Sequence, residues 1–262
     1  MKLQHKVIWI TGASSGIGEA LASALATDTI SLIISGRNEA ALLAIQSKYS
    51  SKNIAVLPFD LLDFEKAPAV VEKAISFFGK VDILINNGGI SQRSLIAETD
   101  FFVDKKIMDV DYFGTIALTK ALLPHFIQNQ SGHFVTVTSL MGKFGSPYRS
   151  GYCAAKHALH GYFDVLRMEH QKDGVDVTLV CPGFVQTNVA INALTADGSP
   201  QVKNSETTEN GMTLSEFIPK MIRAIEQKKF EVYIAKNELL GIYLKRFFPK
   251  LLHRLVMRSN VQ

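Results

Sequence analysis

Several features are scarce in this sequence, and each scarcity narrows what the protein can be. Two cysteines, Cys153 and Cys181, are too few for a disulfide framework, and neither has the spacing of a metal ligand set. We therefore expect a reducing, cytoplasmic location and no bound metal. No window approaches ~18 uncharged apolar residues, which argues against a membrane-spanning helix. The N-terminal MKLQHKVIWITG runs directly into a glycine turn, so no secretory leader is expected.

The composition is that of one soluble globular domain covering residues 1–262. Hydrophobic residues make up 47% and charged residues 20% of the chain, which is long enough for a large core. The formal net charge is +4, and residues 239–262 carry five Lys/Arg and no acid, so the excess is confined to this C-terminal segment. Without an aromatic platform or groove-binding motif elsewhere, no nucleic-acid partner is expected.

The C-terminal segment 239–262 interleaves basic residues with Leu, Ile and Phe at helical spacing. Pro249 should divide it into two short helices. Three interpretations stay open: docking on the protein's own substrate cleft or a partner subunit, peripheral contact with an anionic membrane surface, or a poorly ordered tail.

Residues 6–26 indicate a strand, a glycine turn and a helix. Gly12 would allow the tight turn, Gly16 the approach of a pyrophosphate, and Gly18 close packing of helix on strand, with the helix N-terminus facing the anion. The spacing G-x-x-x-G-x-G differs from the dinucleotide fingerprint G-x-G-x-x-G. The loop residues that we also expect to contact the cofactor are Ser14, Ser15 and Ile17.

The end of the next strand, ISLIISGR, bears on cofactor choice. Folds of this kind usually carry there an acid that binds the adenosine ribose, whereas this chain has Gly36 followed by Arg37. No carboxylate is present at this position to repel a 2′-phosphate. Arg37 and Ser14 could bind that phosphate group instead. NADP(H) is therefore predicted over NAD; the alternative is a solvated arginine after a strand.

Two further apolar runs, residues 53–61 and 81–91, flank a helical stretch at 63–78. This alternation predicts a doubly wound parallel α/β sheet with helices on both faces and ligands at the carboxyl ends of the strands. The candidate cofactor contacts at those ends are Asp60, Leu61, Asn87, Gly88 and Gly89.

The stretch Gly132–Lys156 contains a candidate acid/base group. A strand is expected to end at Ser139, and a helix from Ser150 would place Tyr152 and Lys156 one turn apart on one face. A free tyrosine titrates near ~10. An ammonium about 4 Å away is worth roughly 4 kcal/mol at an effective dielectric of ~20, about what proton exchange near neutrality requires. Ser139 could bind the same substrate oxygen.

The chain resembles the short-chain dehydrogenase/reductase family from residue 6 to about residue 190. The motifs that carry the resemblance are TGASSGIG (11–18), NNGG (86–89, where the family has NNAG), Ser139, YCAAK (152–156) and PGFVQT (182–187). It implies a Rossmann-like fold, for which we expect about seven strands, and a Ser139–Tyr152–Lys156 catalytic core. It also implies a homodimer or homotetramer formed through helices 104–128 and 150–171. The residues placed near the nicotinamide are Pro182, Gly183, Val185 and Thr187.

One position departs from the family pattern. Three residues before Gly114 the family carries an asparagine that holds a water in the proton relay behind the lysine, and this chain has Asp111. A carboxylate there would stabilise the Lys156 ammonium and oppose a phenolate. Two functions stay open: an NADP(H)-dependent oxidoreductase that interconverts a secondary alcohol and a carbonyl, and an NADP(H)-binding regulator or scaffold with little turnover.

Residues 188–214 are polar, punctuated by Gly and Pro, and show little periodicity. Their length and position predict a lid over the substrate that becomes ordered on ligand binding, with a plain linker as the alternative. A helix over SEFIPKMIRAIEQKK and a seventh strand over FEVYIA are expected to follow. No sequence motif in the pocket walls or the lid indicates a particular substrate, so the substrate itself is not predicted.

Overall fold

The computed structural model describes residues 3–50, 52–203 and 206–258. The parts of the predicted domain, lid and C-terminal segment that fall on residues 1–2, 51, 204–205 and 259–262 lie outside the described residues.

Seven parallel strands form one sheet in the order β3–β2–β1–β4–β5–β6–β7. The strands are β1 Val7–Ile10, β2 Ser31–Ile34, β3 Ile54–Val56, β4 Ile83–Asn86, β5 Gly132–Val137, β6 Val175–Pro182 and β7 Glu231–Ile234. The strand order reverses direction between β1 and β4, which creates the crevice where open α/β sheets bind ligands. The predicted fold class and the predicted seventh strand are confirmed.

Helices cover both faces of this sheet. They are α1 Gly16–Leu25, α2 Glu39–Lys48, α3 Ala67–Phe78, α4 Phe101–Ile107, α5 Thr115–Gln128, α6 Ser150–His170, α7 Glu206–Glu209, α8 Leu214–Glu226, α9 Leu240–Phe247 and α10 Pro249–Arg258. In β1, Ile8 and Ile10 point into the core under α1, α2 and α8, whereas Trp9 points into the opposite core under α3, α5 and α6. Because both faces are buried, the strands consist of continuous apolar residues.

Three predicted boundaries need correction. The strand β5 ends at Val137, and Ser139 instead caps the short turn that follows by accepting the Met141 N–H at 3.1 Å. The helix predicted from residue 63 begins as α3 at Ala67, after a short 3₁₀ turn. The helix predicted over 104–128 begins at Phe101 and contains a π-helical turn, Met108–Gly114, between α4 and α5. Such turns are frequent at functional sites.

The C-terminal segment forms the two predicted helices, and Pro249 begins the second. One side of α9 and α10 packs on the protein's own loop around Phe144 and on β6 and β7, with Leu252 buried in that contact. Docking on the same chain is thus observed for this side. The other side exposes Tyr243, Phe247 and further apolar residues, for which membrane contact stays a prediction. None of the described helices has the length and apolar content to cross a bilayer.

Candidate active site

The glycine loop after β1 lies at the crevice where the strand order reverses. Gly12 and Gly16 have φ of +63° and +58°, a region that favours glycine. A Cβ at Gly18 would clash with the Gly12 carbonyl oxygen, so the helix packs on the turn as the sequence predicted. Thr187 lies beside Gly16, which brings the predicted nicotinamide segment to the predicted phosphate loop. The N-terminus of α1 faces this loop, whose glycines have no side chains, and such an arrangement fits a phosphate group.

Thr11 connects this loop to the end of β4. Its hydroxyl oxygen accepts the N–H groups of Asn87 and Gly88, both at 3.0 Å, while the Asn87 amide donates to the carbonyl oxygens of Thr11 and Gly12 at 3.0 and 3.2 Å. Sequence reasoning assigned Thr11 no role. Its place between the last strand residue and the first glycine is the signal that could have found it.

The remaining predicted cofactor residues line the same edge of the sheet. Gly36 approaches Ser14 so closely that a Cβ would lie 3.1 Å from the Ser14 hydroxyl oxygen, and the adjacent Arg37 is exposed. Asp60 accepts the Leu62 N–H at 3.0 Å. The others are Ser15 at the start of α1, Ile17 against the core, Leu61 beside Gly88, Gly89 beside Asp111, and Pro182, Gly183 and Val185 at and after the end of β6.

Tyr152 and Lys156 lie one turn apart on α6, as predicted, with the Lys156 Nζ 5.5 Å from the centroid of the Tyr152 ring. Lys156 is buried and donates a hydrogen bond to the Val137 carbonyl oxygen at 3.3 Å. That carbonyl ends β5, two residues before Ser139. The three predicted catalytic residues therefore converge on the carboxyl end of β5.

Asp111 lies directly behind the lysine. Its Oδ2 is 3.1 Å from the Lys156 Nζ, in an ion pair that is not well aligned as a hydrogen bond, and its Oδ1 accepts the Ile90 N–H at 2.7 Å. Burial raises the pKa of Asp111, against the attraction of Lys156. Burial is the largest single influence on Lys156 and disfavours its ammonium, but the attractions of Asp111 and Tyr152 together outweigh it and raise the Lys156 pKa. The carboxylate thus points at the lysine, as expected if it stabilises the Lys156 ammonium.

Gln92 fixes the start of α6 and was not found from the sequence. This fully buried side chain accepts the Gly151 N–H at 2.9 Å and donates to the hydroxyl groups of Ser94 and Ser150, each at 3.2 Å. It therefore ties the segment after β4 to the helix that carries Tyr152. No local pattern marks it, because its partners on α6 are 58 and 59 residues away.

The predicted lid is packed in place over much of its described length. Leu194 donates its N–H to the Ser91 carbonyl oxygen and accepts the Arg93 N–H, both at 2.8 Å. Ala190 and Ala193 are buried. The segment therefore covers the residues that follow β4, while its ordering by a ligand stays a prediction.

One group of possible metal ligands was not expected from spacing. The side chains of His160, Cys181 and Glu231 bring one ligand atom each within 4.8 Å of one another. Burial lowers the pKa of His160 to about 4 and raises that of Cys181. The Lys143 ammonium lies 2.7 Å from Glu231 and already balances its charge, so we assign no metal to this group.

Fold and site together define a Rossmann-like α/β protein whose candidate active site lies where the strand order reverses. The family profile described as short chain dehydrogenase matches residues 6–197. The chain belongs to this oxidoreductase family.

Individual proteins agree with this assignment. The chain is 38% identical over 256 residues to dehydrogenase/reductase SDR family member 7B of Xenopus tropicalis, covering 94% of this chain and 83% of that protein. A short-chain dehydrogenase/reductase of Burkholderia phymatum in complex with NAD superposes with a TM-score of 0.84 at 22% identity, covering 96% of each chain. An alcohol dehydrogenase of Thermococcus sibiricus complexed with 5-hydroxy-NADP gives 0.75 at 24% identity, covering 88% of this chain and 97% of that one.

The ion pair between Lys156 and Asp111 can be tested without a substrate. Asp111→Asn and Lys156→Met should each lower the free energy of unfolding by about 3–5 kcal/mol, because each leaves its partner's charge buried and unpaired. The double variant should lose at least about 1 kcal/mol less than the sum. Denaturant unfolding at pH 7 measures all four proteins, and strictly additive losses would show that the pair is not coupled.

Proposed function

We propose that this protein is an NADP(H)-dependent oxidoreductase that interconverts a secondary alcohol and a ketone or aldehyde by a Ser139–Tyr152–Lys156 mechanism. The observation that carries the proposal is the convergence of these three side chains on the end of β5, beside a glycine loop whose shape fits a dinucleotide phosphate. A bound nicotinamide would supply or accept the hydride.

In the reductive direction, Tyr152 donates its hydroxyl proton to the carbonyl oxygen. Ser139 gives that oxygen a second hydrogen bond; its hydroxyl oxygen already accepts the Met141 N–H, which leaves the hydroxyl proton free to donate. The Lys156 ammonium offsets the negative charge that Tyr152 acquires. The same ammonium also forms an ion pair with Asp111. During the proton transfer it therefore interacts with two negative groups, the Asp111 carboxylate and the developing Tyr152 phenolate.

The choice of NADP(H) rests on Gly36, Arg37 and Ser14. An exposed arginine next to the glycine loop, with no acid at the end of β2, suits a 2′-phosphate. Proteins of this fold include one whose structure holds NAD and one that holds 5-hydroxy-NADP, so the fold by itself does not decide the cofactor.

A second function, an NADP(H)-binding regulator or scaffold, is favoured by one observation. Asp111 shares Lys156 with Tyr152 and attracts its charge away from the phenolate. The two functions differ in turnover: a panel of carbonyl substrates with NADPH should show reduction under the first and only cofactor binding under the second.

The role of Tyr152 predicts the effect of removing one hydroxyl. Tyr152→Phe should lower kcat by about 10²- to 10⁴-fold, the usual contribution of a positioned general acid, while NADPH still binds. Lys156→Ala should lose rate and some cofactor affinity. The matched control is Tyr162→Phe, ten positions later on α6, which should keep near-normal kcat. Near-normal turnover in Tyr152→Phe would show that another group is the acid.

Arg37 predicts the cofactor preference. The unaltered protein should bind NADPH more tightly than NADH, and Arg37→Asp should reverse the order, because a carboxylate repels the 2′-phosphate. Fluorescence titration of both cofactors measures this. Lys48→Asp, the same change of charge on an exposed side chain at the end of α2, should leave the preference intact. Equal affinities in the unaltered protein would count against NADP(H).

We also propose that two copies pair through α6 and the neighbouring π-helical turn. Val165 and Met168, one turn apart on α6, are 47% and 71% exposed, and Phe113 on the π-helical turn is 44% exposed. Light scattering at micromolar concentration should therefore report a dimer or tetramer. Met168→Glu should dissociate it, whereas Leu43→Glu, on the exposed side of α2, should not. A monomeric unaltered protein would contradict this proposal.

A further inference from the structure

Two arginines near Tyr152 are largely buried. Arg149 is only 2% exposed, and Arg93 is largely buried. Within the described ranges, no carboxylate lies within salt-bridge distance of either guanidinium, whereas Arg167 on α6 pairs with Asp164 at 2.8 Å. An unpaired buried charge costs several kcal/mol, so a fold that carries two of them beside its candidate catalytic tyrosine calls for an explanation.

The hydrogen bonds of these arginines leave donors unused. Arg149 donates from Nη1 to the Ser146 hydroxyl oxygen and the Pro147 carbonyl oxygen at 3.2 and 3.3 Å, while its buried Nη2 has no partner among the described residues. Arg93 donates from Nη1 to the Ser91 hydroxyl oxygen at 3.0 Å and the Gln92 carbonyl oxygen at 2.7 Å, while its buried Nε has no partner in the part of the chain that the structure describes. Each guanidinium thus keeps at least one donor for a further acceptor.

Their position is fixed from two sides. The segment with Arg93 follows β4, and its neighbour Ser94 pairs with Arg149 across a short parallel bridge. Arg149 immediately precedes α6, three residues before Tyr152, and its guanidinium lies 5.9 Å from the centroid of the Phe184 ring in the predicted nicotinamide segment. The backbone N–H of Arg93 donates to the carbonyl oxygen of Leu194 in the predicted lid at 2.8 Å. The Arg149 guanidinium is therefore close to the nicotinamide segment, and Arg93 lies on a segment that pairs with the start of α6 and with the lid.

The positive charge of Arg149 also affects the pKa of Arg93. Burial lowers the pKa of Arg93 to about 10, repulsion by Arg149 adds to this, and the proximity of Tyr152 acts in the opposite direction. Burial lowers the pKa of Arg149 as well. An anion bound between them would remove the repulsion and satisfy the unused donors, because the guanidinium fork matches carboxylate and phosphate oxygens.

We propose that Arg93 and Arg149 form an anion-binding subsite, and that the substrate is a carbonyl or alcohol compound that carries a carboxylate or phosphate group near the reacting carbon. This substrate class rests on the proposed oxidoreductase function. The subsite orients the substrate by its anionic group, so that the reacting oxygen meets Tyr152 and Ser139. It also selects against neutral analogues, which would leave the buried cations without a partner.

The test compares matched compounds with NADPH as cofactor. The carboxylate arm uses 4-oxopentanoate and its methyl ester, and the phosphate arm uses hydroxyacetone phosphate and hydroxyacetone. We expect kcat/KM for one or both anions to exceed that of the neutral partner by about ten- to hundredfold, the value of a hydrogen bond to a charged group. Arg149→Met and Arg93→Met should each reduce this ratio toward one, mainly through KM. Arg223→Met, an exposed arginine on α8, should leave the ratio unchanged.

A second measurement does not depend on turnover. Malonate and glycerol phosphate should raise the unfolding temperature of the unaltered protein and of Tyr152→Phe, and this rise should be lost in Arg149→Met. Without ligand, Arg149→Met should unfold at the same or a higher temperature, because it removes an unpaired buried charge. A structural arginine would instead lower the unfolding temperature when replaced.

The outcomes separate the two proposals. Arg-dependent stabilisation by anions without turnover of any carbonyl compound would keep the subsite and reject the oxidoreductase function. Turnover with equal kcat/KM for anions and neutral partners, and no anion stabilisation, would keep the oxidoreductase and overturn the subsite. A lower unfolding temperature for Arg149→Met together with an unchanged anion ratio would also overturn it.

Discussion

The pairing of β1 with β2 on one side and β4 on the other is the constraint on which the site depends. Because the chain leaves β1 in one direction and returns at β4 in the other, the loops after these strands diverge and leave a crevice. Thr11 closes the bottom of that crevice by bonding the backbone after β4. The glycine loop, the NNGG segment and α6 all take their places from this arrangement.

The distribution of buried charge is the second feature that shapes the site. Lys156 has a carboxylate partner in Asp111, whereas Arg93 and Arg149 have none among the described residues. Two of these three cationic side chains are therefore left without a carboxylate partner in the part of the chain that the structure describes. Unpaired buried cations lower the stability of the protein when no anion is bound. They also create a positive electrostatic potential that attracts a negatively charged ligand. The same positive potential suits the anionic substrate proposed above.

Local patterns predicted much of the fold and the core of the site. The spacing Tyr152-x-x-x-Lys156 fixes a shared helix face, and the glycines of the loop reflect backbone conformations that few other residues adopt. The division of the C-terminal segment into two helices at Pro249 was also predicted from the local sequence. Boundaries were less predictable: Ser139 has strand-forming neighbours, yet it caps a turn, because its hydroxyl oxygen accepts the Met141 N–H.

The sequence alone determined the parallel α/β class, the glycine loop and the Tyr152–Lys156 pair, since each depends on residues close together in the chain. Only the tertiary structure decided that Asp111 faces Lys156 through a π-helical turn, that Gln92 anchors α6, and that Arg93 and Arg149 have no carboxylate partner among the described residues. These contacts join segments tens of residues apart. Whether a buried side chain has a partner depends on the packing of several elements at once, which no spacing along one segment records.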